Sequence, residues 1–141
     1  MRKDNQTFRK KVSLRLRALA EVERPSVVET HGGKGLIFGR CYAFGPPGVV
    51  FEKDSDRADG LAHQRPAWSV YQADSAKALA AGFGFHRRPN FFDLDPFGSP
   101  WPTLDAVFSH LGLCEDRVVL VVNDGLRRKL AIGGGWSVAC L

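Results

Sequence analysis

Short apolar runs alternate with helix-compatible stretches along this chain from residue 25 onward. The runs are SVVET (26–30), VVFE (49–52), WSVYQ (68–72), NFFDL (90–94) and RVVLVV (117–122). Strands that are apolar along their whole length are typical of a parallel sheet covered by helices on both faces. A length of 141 residues suits one such domain with a single core. The sequence therefore predicts an α/β fold for 25–141, with a mostly parallel sheet flanked by helices.

Helix signals fill the gaps between these runs. They predict a short helix to about Ala43, helices at 55–64 and about 101–112, and a helix from an N-cap at Asp74 or Ser75 to a stop at Gly82. A further short helix at 124–131, a glycine turn at 133–136 and a last apolar strand are expected at the end. Because the chain stops on an apolar strand, we expect a fold that is shortened at its C-terminus.

The first 24 residues carry the whole net charge of the chain and are treated as an extension of the domain. They hold eight of the 20 Lys and Arg residues and three of the 15 acids, which leaves +5 there and zero in the remaining 117 residues. Clustered cations favour polyanions such as nucleic acids, and Arg9, Lys10 and Lys11 are the expected contacts. A solubilising tail would explain the same charge equally well.

An amphipathic basic helix is predicted for 7–22, although VSLRLR within it also alternates as a strand would. The apolar stripe of this helix consists of Phe8, Val12, Leu16 and Leu19. We expect the stripe to pack on the domain and the Arg and Lys side chains to turn outward.

Acids and glycines follow the first strands of the predicted sheet. Because parallel strands bring their carboxyl ends to one edge, these residues should share one ligand site. Glu29 and His31 lead into Gly33 and Gly35, a turn that allows a ligand to approach the backbone. Glu52 ends the second run, where an acid can bind the ribose of a nucleotide-like cofactor.

Asp74 follows the third strand and has two interpretations. Its carboxylate could accept a hydrogen bond from an adenine amino group, or it could cap the next helix. Both nicotinamide and S-adenosylmethionine sites share these features. Gly33, Gly35 and Gly39 give the spacing G-x-G-x-x-x-G, which departs from the dinucleotide fingerprint G-x-G-x-x-G.

The motifs VVETHGGKG, VVFEKD, VYQADS and FFDLDPFGSP resemble, in this order, those of class I S-adenosylmethionine-dependent methyltransferases. More narrowly, DLDPFGSPWPTLDAVF followed by VVLVVNDGLRRKL is similar to the tRNA guanine-N2 dimethyltransferase family. The resemblance covers about 25–131 and implies a Rossmann-like methyltransferase fold. His31 replaces the first glycine of the family's turn, and Gly98 leaves the D-P-P-F pattern one proline short. The family's C-terminal RNA-binding domain has no counterpart in these motifs.

The resemblance implies S-adenosylmethionine as the cofactor. Its expected ligands are Glu29, His31, Gly33, Gly35, Glu52 and Asp74. The resemblance also implies that the Asp95 carboxylate and the Pro96 carbonyl hold the amino group to be methylated, and that Phe97 stacks on its base. Trp101 would extend this platform. Asp93 is expected to face a covering helix instead of the ligand.

The implied function is methylation of an exocyclic amino group of a nucleobase. The expected substrate is RNA, above all tRNA, more than DNA. A different class stays open: a catalytically reduced methyltransferase-like module that binds nucleic acid or protein. An apolar last strand favours a homodimer, and a partner subunit that supplies target recognition is the alternative.

Composition argues against several other classes. Cys41, Cys114 and Cys140 are odd in number and far apart, and the four histidines lack metal-ligand spacing, so neither a disulfide framework nor a metal site is expected. The sequence contains no apolar run long enough to span a membrane and no apolar core of a signal peptide after the basic start. A cytoplasmic protein is therefore expected.

Overall fold

The computed structural model of the protein describes residues 6–125, and within them five strands form one sheet. The strands are β1 (Val27–Glu29), β2 (Val49–Glu52), β3 (Ser69–Gln72), β4 (Phe91–Leu94) and β5 (Val119–Val122). Their order across the sheet is β3-β2-β1-β4-β5, and each neighbouring pair is parallel. The predicted α/β fold with a parallel sheet flanked by helices is confirmed.

The helices within the same range are α1 (Gln6–Leu19), α2 (Leu36–Cys41), α3 (Ser55–Gln64), α4 (Ser75–Ala80) and α5 (Trp101–Phe108), with a 3-10 turn at Leu111–Leu113. Asp74 caps α4 as predicted, since its carboxylate accepts the Lys77 N–H at 3.1 Å. Pro102 stands in the first turn of α5, where no backbone donor is needed. The glycine turn, the last strand and the shortened C-terminus lie outside the described residues, as does 124–131 apart from its first two residues.

The two faces of the sheet are buried under different helices. Phe91 and Phe92 of β4 are both fully buried and point to opposite sides, because successive strand residues alternate. Phe92 packs in one core with Leu79 of α4 and Val107 of α5. Phe91 packs on the other side with Tyr42, which follows α2, at a ring-centroid distance of 6.0 Å. Burial on both faces explains why these strands are apolar along their whole length.

Helix α1 packs on the same side as α2, and three of the four residues in the predicted stripe, Phe8, Val12 and Leu19, are half-buried as expected. Leu16, expected in the buried stripe, is 48% exposed, whereas Arg15 is 0% exposed. Lys11 also turns towards the domain, where its ammonium binds an acid. The prediction that the Arg and Lys side chains of this helix face outward is therefore wrong for Lys11 and Arg15.

An acid on the strand beneath α1 explains why Arg15 faces the domain and Leu16 does not. Arg15 donates from Nε and Nη2 to the two carboxylate oxygens of Asp93, each at 2.6 Å. The hydroxyl of Tyr42 donates to the same carboxylate at 2.7 Å. Two hydrogen bonds and a third donor offset the desolvation of a fully buried ion pair. The prediction that Asp93 faces a covering helix is confirmed.

None of the helices within residues 6–125 is both long and apolar enough to cross a membrane.

Replacing Arg15 by Met should destabilise the protein strongly. The change leaves the buried Asp93 carboxylate without its cation, and such losses cost about 3–5 kcal/mol. The matched change Arg17→Met, on the exposed side of the same helix, should change the free energy of unfolding by about 0.5 kcal/mol or less. Urea unfolding of both variants measures the difference, and equal stabilities would show that the Arg15–Asp93 pair does not hold α1 in place.

Candidate active site

A cleft of about 1150 Å³ lies where the carboxyl ends of the five strands meet. Its walls are the turns after β1, β2, β3, β4 and β5 together with one side of α1. Of the predicted site residues, the cleft brings together Lys11, Glu29, His31, Gly33, Glu52, Asp74, Asp95, Pro96 and Phe97. Gly35, Trp101, Arg9 and Lys10 do not line it. The ends of four successive strands therefore line one cleft, as the parallel topology predicts.

The glycine turn between β1 and α2 is tied to the end of β2. Gly33 has a φ of +55° and Gly35 a φ of +73°, which side chains other than glycine rarely adopt. The Gly33 N–H donates to Oε2 of Glu52 at 2.8 Å, and the Asp54 N–H donates to Oε1 at 2.9 Å. Each oxygen of Glu52 keeps a lone pair for a further donor. Glu52 therefore holds the turn and can still accept a hydrogen bond from a ligand.

His31 stands in this turn, and its neutral imidazole has one donor nitrogen and one acceptor nitrogen. Its Nδ1 lies 2.7 Å from the Thr30 hydroxyl, which donates to the Asp93 carbonyl at 3.1 Å. Because a hydroxyl has one proton, Nδ1 is the donor to Thr30 and Nε2 keeps its lone pair. Burial lowers the pKa of His31, although the carboxylates of Asp95, Glu52 and the other acids around the cleft oppose that shift. The imidazole is therefore mainly neutral at neutral pH.

Glu29 lines the cleft and is also paired with a buried arginine. It is 3% exposed, and its Oε2 accepts from Nη1 of Arg65 at 2.6 Å. The guanidinium of Arg65 lies over the Phe38 ring, 4.0 Å from its centroid, and does not line the cleft. Burial raises the pKa of Glu29 to about 7 against the attraction of Arg65. The carboxylate of Glu29 thus joins β1 to the end of α3 through Oε2, and its role as a cofactor ligand stays a prediction.

Asp95, just after β4, is bound by three donors. Its Oδ1 accepts from Nζ of Lys11 and from Nδ2 of Asn123, both at 2.8 Å, and its Oδ2 accepts from the same Nζ at 2.7 Å. Nη2 of Arg15 lies 3.4 Å from Oδ2. Burial alone would raise the pKa of Asp95, but the hydrogen bonds from Lys11 and Asn123 outweigh it and hold that pKa below its usual value. Asp95 is therefore ionised at neutral pH.

The spacing of helix and strand explains why two cations meet two acids. Four helical residues rise about 6 Å, and two strand residues rise about 6.6 Å. Arg15 above Asp93 therefore brings Lys11, one turn earlier in α1, above Asp95. The Lys11–Asp95 pair is partly exposed, with 34% and 21% of the two side chains accessible, so it contributes on the order of 1 kcal/mol or less.

The turn after β4 exposes one aromatic ring at the cleft. Phe97 is 86% exposed, and Pro96 beside it is half-buried. Trp101 is 62% exposed at the start of α5 and lies outside the cleft, so its predicted place in a base-binding platform is not supported. A side chain at Gly125 would collide with the Phe97 backbone, at 2.4 Å. The Gly125 N–H instead donates to the Gly98 carbonyl at 3.1 Å, which fixes the turn.

The cleft also contains residues that sequence reasoning underrated. Asn123, directly after β5, binds Asp95 through its side-chain amide. Thr7 and Phe8 of α1 line the cleft, although α1 was treated as an addition to the domain. The position of Asn123 directly after a strand was the available signal, whereas the helix residues gave none.

Comparison with protein-family models gave no match, and no curated protein matches the sequence. The fold is similar to the crystal structure of the N-methyltransferase NodS from Bradyrhizobium japonicum WM9, with a TM-score of 0.65. The match covers 97% of this chain and 80% of that protein at 12% sequence identity. The chain has the Rossmann-like fold of that methyltransferase.

No group of three or more His, Cys, Asp or Glu side chains is arranged to hold a metal ion within residues 6–125. The acids around the cleft are instead engaged with backbone N–H groups, with Lys11 and with the two buried arginines.

Replacing Lys11 by Met should raise the pKa of Asp95, because burial would then act with less opposition. An acid whose pKa is depressed by folding adds stability above its unfolded pKa of about 3.9, and loses it as the pH falls through the folded value. The variant should therefore be less stable than the wild type at pH 7 and equally stable at strongly acidic pH. NMR titration of the carboxyl carbon of Asp95 tests this directly; the same pKa in both proteins would contradict it.

Proposed function

We propose that this protein transfers a methyl group from S-adenosylmethionine to an exocyclic amino group of a nucleobase, in RNA and above all in tRNA. The observation that carries the proposal is the arrangement of the cleft. The glycine turn and Glu52 lie on its β2 side, and the turn of Asp95, Pro96 and Phe97 lies on its β4 side. A cofactor and a base that occupy these two sides would meet at the end of β1. The fold shared with an N-methyltransferase supports this assignment.

The side of the cleft that is formed by the ends of β1, β2 and β3 fits this cofactor. Glu52 and Asp74 offer carboxylate oxygens to ribose hydroxyls and to an adenine amino group. Gly33 has open space where a side chain would stand, so a ligand can approach its backbone. A neutral His31 is compatible with a sulfonium, which an imidazolium would repel. When bound, the cofactor supplies an activated methyl group on a positively charged sulfur.

The β4 side offers acceptors for an amino group. The lone pair of an exocyclic amine is delocalised into the base, so the amine needs acceptors that orient its N–H bonds and direct the lone pair towards the methyl group. The ionised Asp95 carboxylate and the Pro96 carbonyl would do this, and orientation would supply most of the rate. Asp95 already binds an N–H donor, the Lys11 ammonium. As the new N–C bond forms and the methyl group leaves the sulfur, the nitrogen would release a proton to Nε2 of His31, which lines the same cleft.

Phe97 would hold the base. A base must leave its helix to enter a cleft, and an exposed ring that stacks on it compensates part of the lost stacking. Pro96 and Pro100 restrict the backbone on either side of Phe97, and Gly125 packs against it, so the turn loses little entropy on binding. This platform consists of Phe97 alone, since Trp101 lies outside the cleft.

Helix α1 would contact the nucleic-acid backbone. Thr7, Phe8 and Lys11 line the cleft, and Arg9 and Lys10 are exposed beside them. Cations at the rim of a base-binding cleft are placed for the phosphates that flank the target base.

Glu52→Gln should weaken binding of S-adenosylmethionine by roughly tenfold or more, since a charged acceptor for hydroxyl donors is worth on the order of 1.5–3 kcal/mol. The matched control is Asp105→Asn, which makes the same change at an exposed acid of α5 outside the cleft. Calorimetric titration of the three proteins gives the affinities. If the wild type does not bind at millimolar ligand, the cofactor assignment is wrong.

Asp95→Ala should lower methyl transfer by roughly 100-fold, because the amine would lose the acceptor that positions it. Incorporation of a radiolabelled methyl group into tRNA and DNA pools measures the effect, and calorimetry should show that the variant still binds the cofactor. Undiminished transfer by this variant would exclude the mechanism.

One observation favours the second candidate, a methyltransferase-like module that binds nucleic acid without turnover. Asp95 already accepts three hydrogen bonds from the protein itself, and His31 stands where related turns have glycine. Such a module would bind nucleic acid in a salt-dependent way through α1, and neither Asp95→Ala nor Glu52→Gln would change that affinity.

A further inference from the structure

In the arrangement described above, the target amino group competes for Asp95 with donors of the protein itself. An ionised carboxylate has about four acceptor positions. At Asp95 these face Nζ of Lys11, which bonds to both oxygens, Nδ2 of Asn123 and the more distant Nη2 of Arg15. The hydrogen bonds of Lys11 and Asn123 fill three positions and Arg15 faces the fourth, so an incoming N–H donor must compete with one of these groups.

Lys11 is the donor best able to leave. Arg15 is fully buried and holds both oxygens of Asp93, so it cannot move without unfolding α1 from the sheet. Asn123 follows β5 directly, and its backbone N–H is fixed to the Leu94 carbonyl at 2.8 Å. Lys11 has a flexible side chain that is 34% exposed at the cleft, and its release requires no movement of the backbone.

The released ammonium needs a new anion. Asp93 is already occupied by Arg15 and Tyr42, and the remaining lone pairs of Glu52, on the β2 side of the cleft, are those that the proposed function assigns to the cofactor. A nucleotide whose base enters the cleft brings a phosphate to the rim where α1 lies, and lysine is a good phosphate ligand. A free base or nucleoside brings none, so its amine would compete with an ammonium ion for Asp95 without any compensation.

We propose that Lys11 makes methyl transfer depend on a phosphate attached to the target nucleoside: its ammonium leaves Asp95 for that phosphate, and the amino group takes its place. This inference rests on the proposed function. It involves an exchange of hydrogen bonds only, so that Asp95 keeps its charge and pairs with the amine while Lys11 pairs with the phosphate. Lys11 is thereby a residue that determines specificity for nucleotides over nucleosides.

The test compares guanosine and adenosine with their 3′- and 5′-monophosphates, and uses a tRNA pool as the reference. For the wild type we expect kcat/KM to be at least about tenfold higher for a monophosphate than for its nucleoside. Lys11→Met should bring that ratio close to one, because turnover of the nucleoside rises while the phosphate loses its partner. Arg17→Met removes one charge from the exposed side of α1 and should keep the wild-type ratio.

The outcomes separate the inference from the function it rests on. Equal use of nucleoside and monophosphate by the wild type, or an equal loss on both substrates in Lys11→Met, would overturn the role of Lys11 alone. Methylation of tRNA without methylation of any monophosphate would overturn it too, since a single phosphate would then not release Lys11. Absence of methylation of tRNA, DNA and mononucleotides would refute the proposed function itself. Thermal unfolding of Lys11→Met verifies that the variant is folded.

Discussion

The buried ion pair of Arg15 and Asp93 sets the geometry of the whole cleft. It fixes both the rotation of α1 about its axis and its height above β4, because two hydrogen bonds of 2.6 Å leave the guanidinium one orientation. Once Arg15 is in place, the residue one turn earlier must stand above the end of β4. An apolar stripe in place of this pair would turn Leu16 inward and Lys11 away from Asp95. The position of the Lys11 ammonium beside Asp95 in the cleft thus follows from the Arg15–Asp93 contact beneath it.

A second buried pair lies beside the first. Glu29 of β1 is the direct neighbour of Asp93 in the sheet, and two carboxylates side by side repel each other. Each is matched by its own arginine from a different helix region, Arg15 from α1 and Arg65 from the end of α3. Removing Arg15 leaves the buried charge of Asp93 without its cation, which is far more costly than losing a surface pair. The floor of the cleft is therefore polar but rigid, as a site that must orient an amine requires.

The features predicted from the sequence were those that local residues decide. Apolar runs buried on both faces identify strands, and Asp74 identifies the start of α4, because a cap depends on residues three apart. The inward position of Arg15 on α1 was not predictable in this way. An apolar stripe ranks Leu16 above Arg15, yet the partner of Arg15 lies 78 residues further along the chain. The same limit applies to Glu29, whose role is decided by Arg65, 36 residues away.

Asp93 and Asp95 show how burial divides one chemical group into two roles. The two acids are separated by a single Leu and face the same helix, but Asp93 is 1% exposed within β4 whereas Asp95 stands past the strand end at the cleft. Inside the sheet, a carboxylate can persist only with a permanent cation, so Asp93 is committed to structure. At the cleft, water and ligands can replace a donor at modest cost, so Asp95 can exchange partners. Strand β4 therefore presents two acids to α1. Asp93 fixes the helix on the sheet, and Asp95 stays in position while the donor that it binds is exchanged.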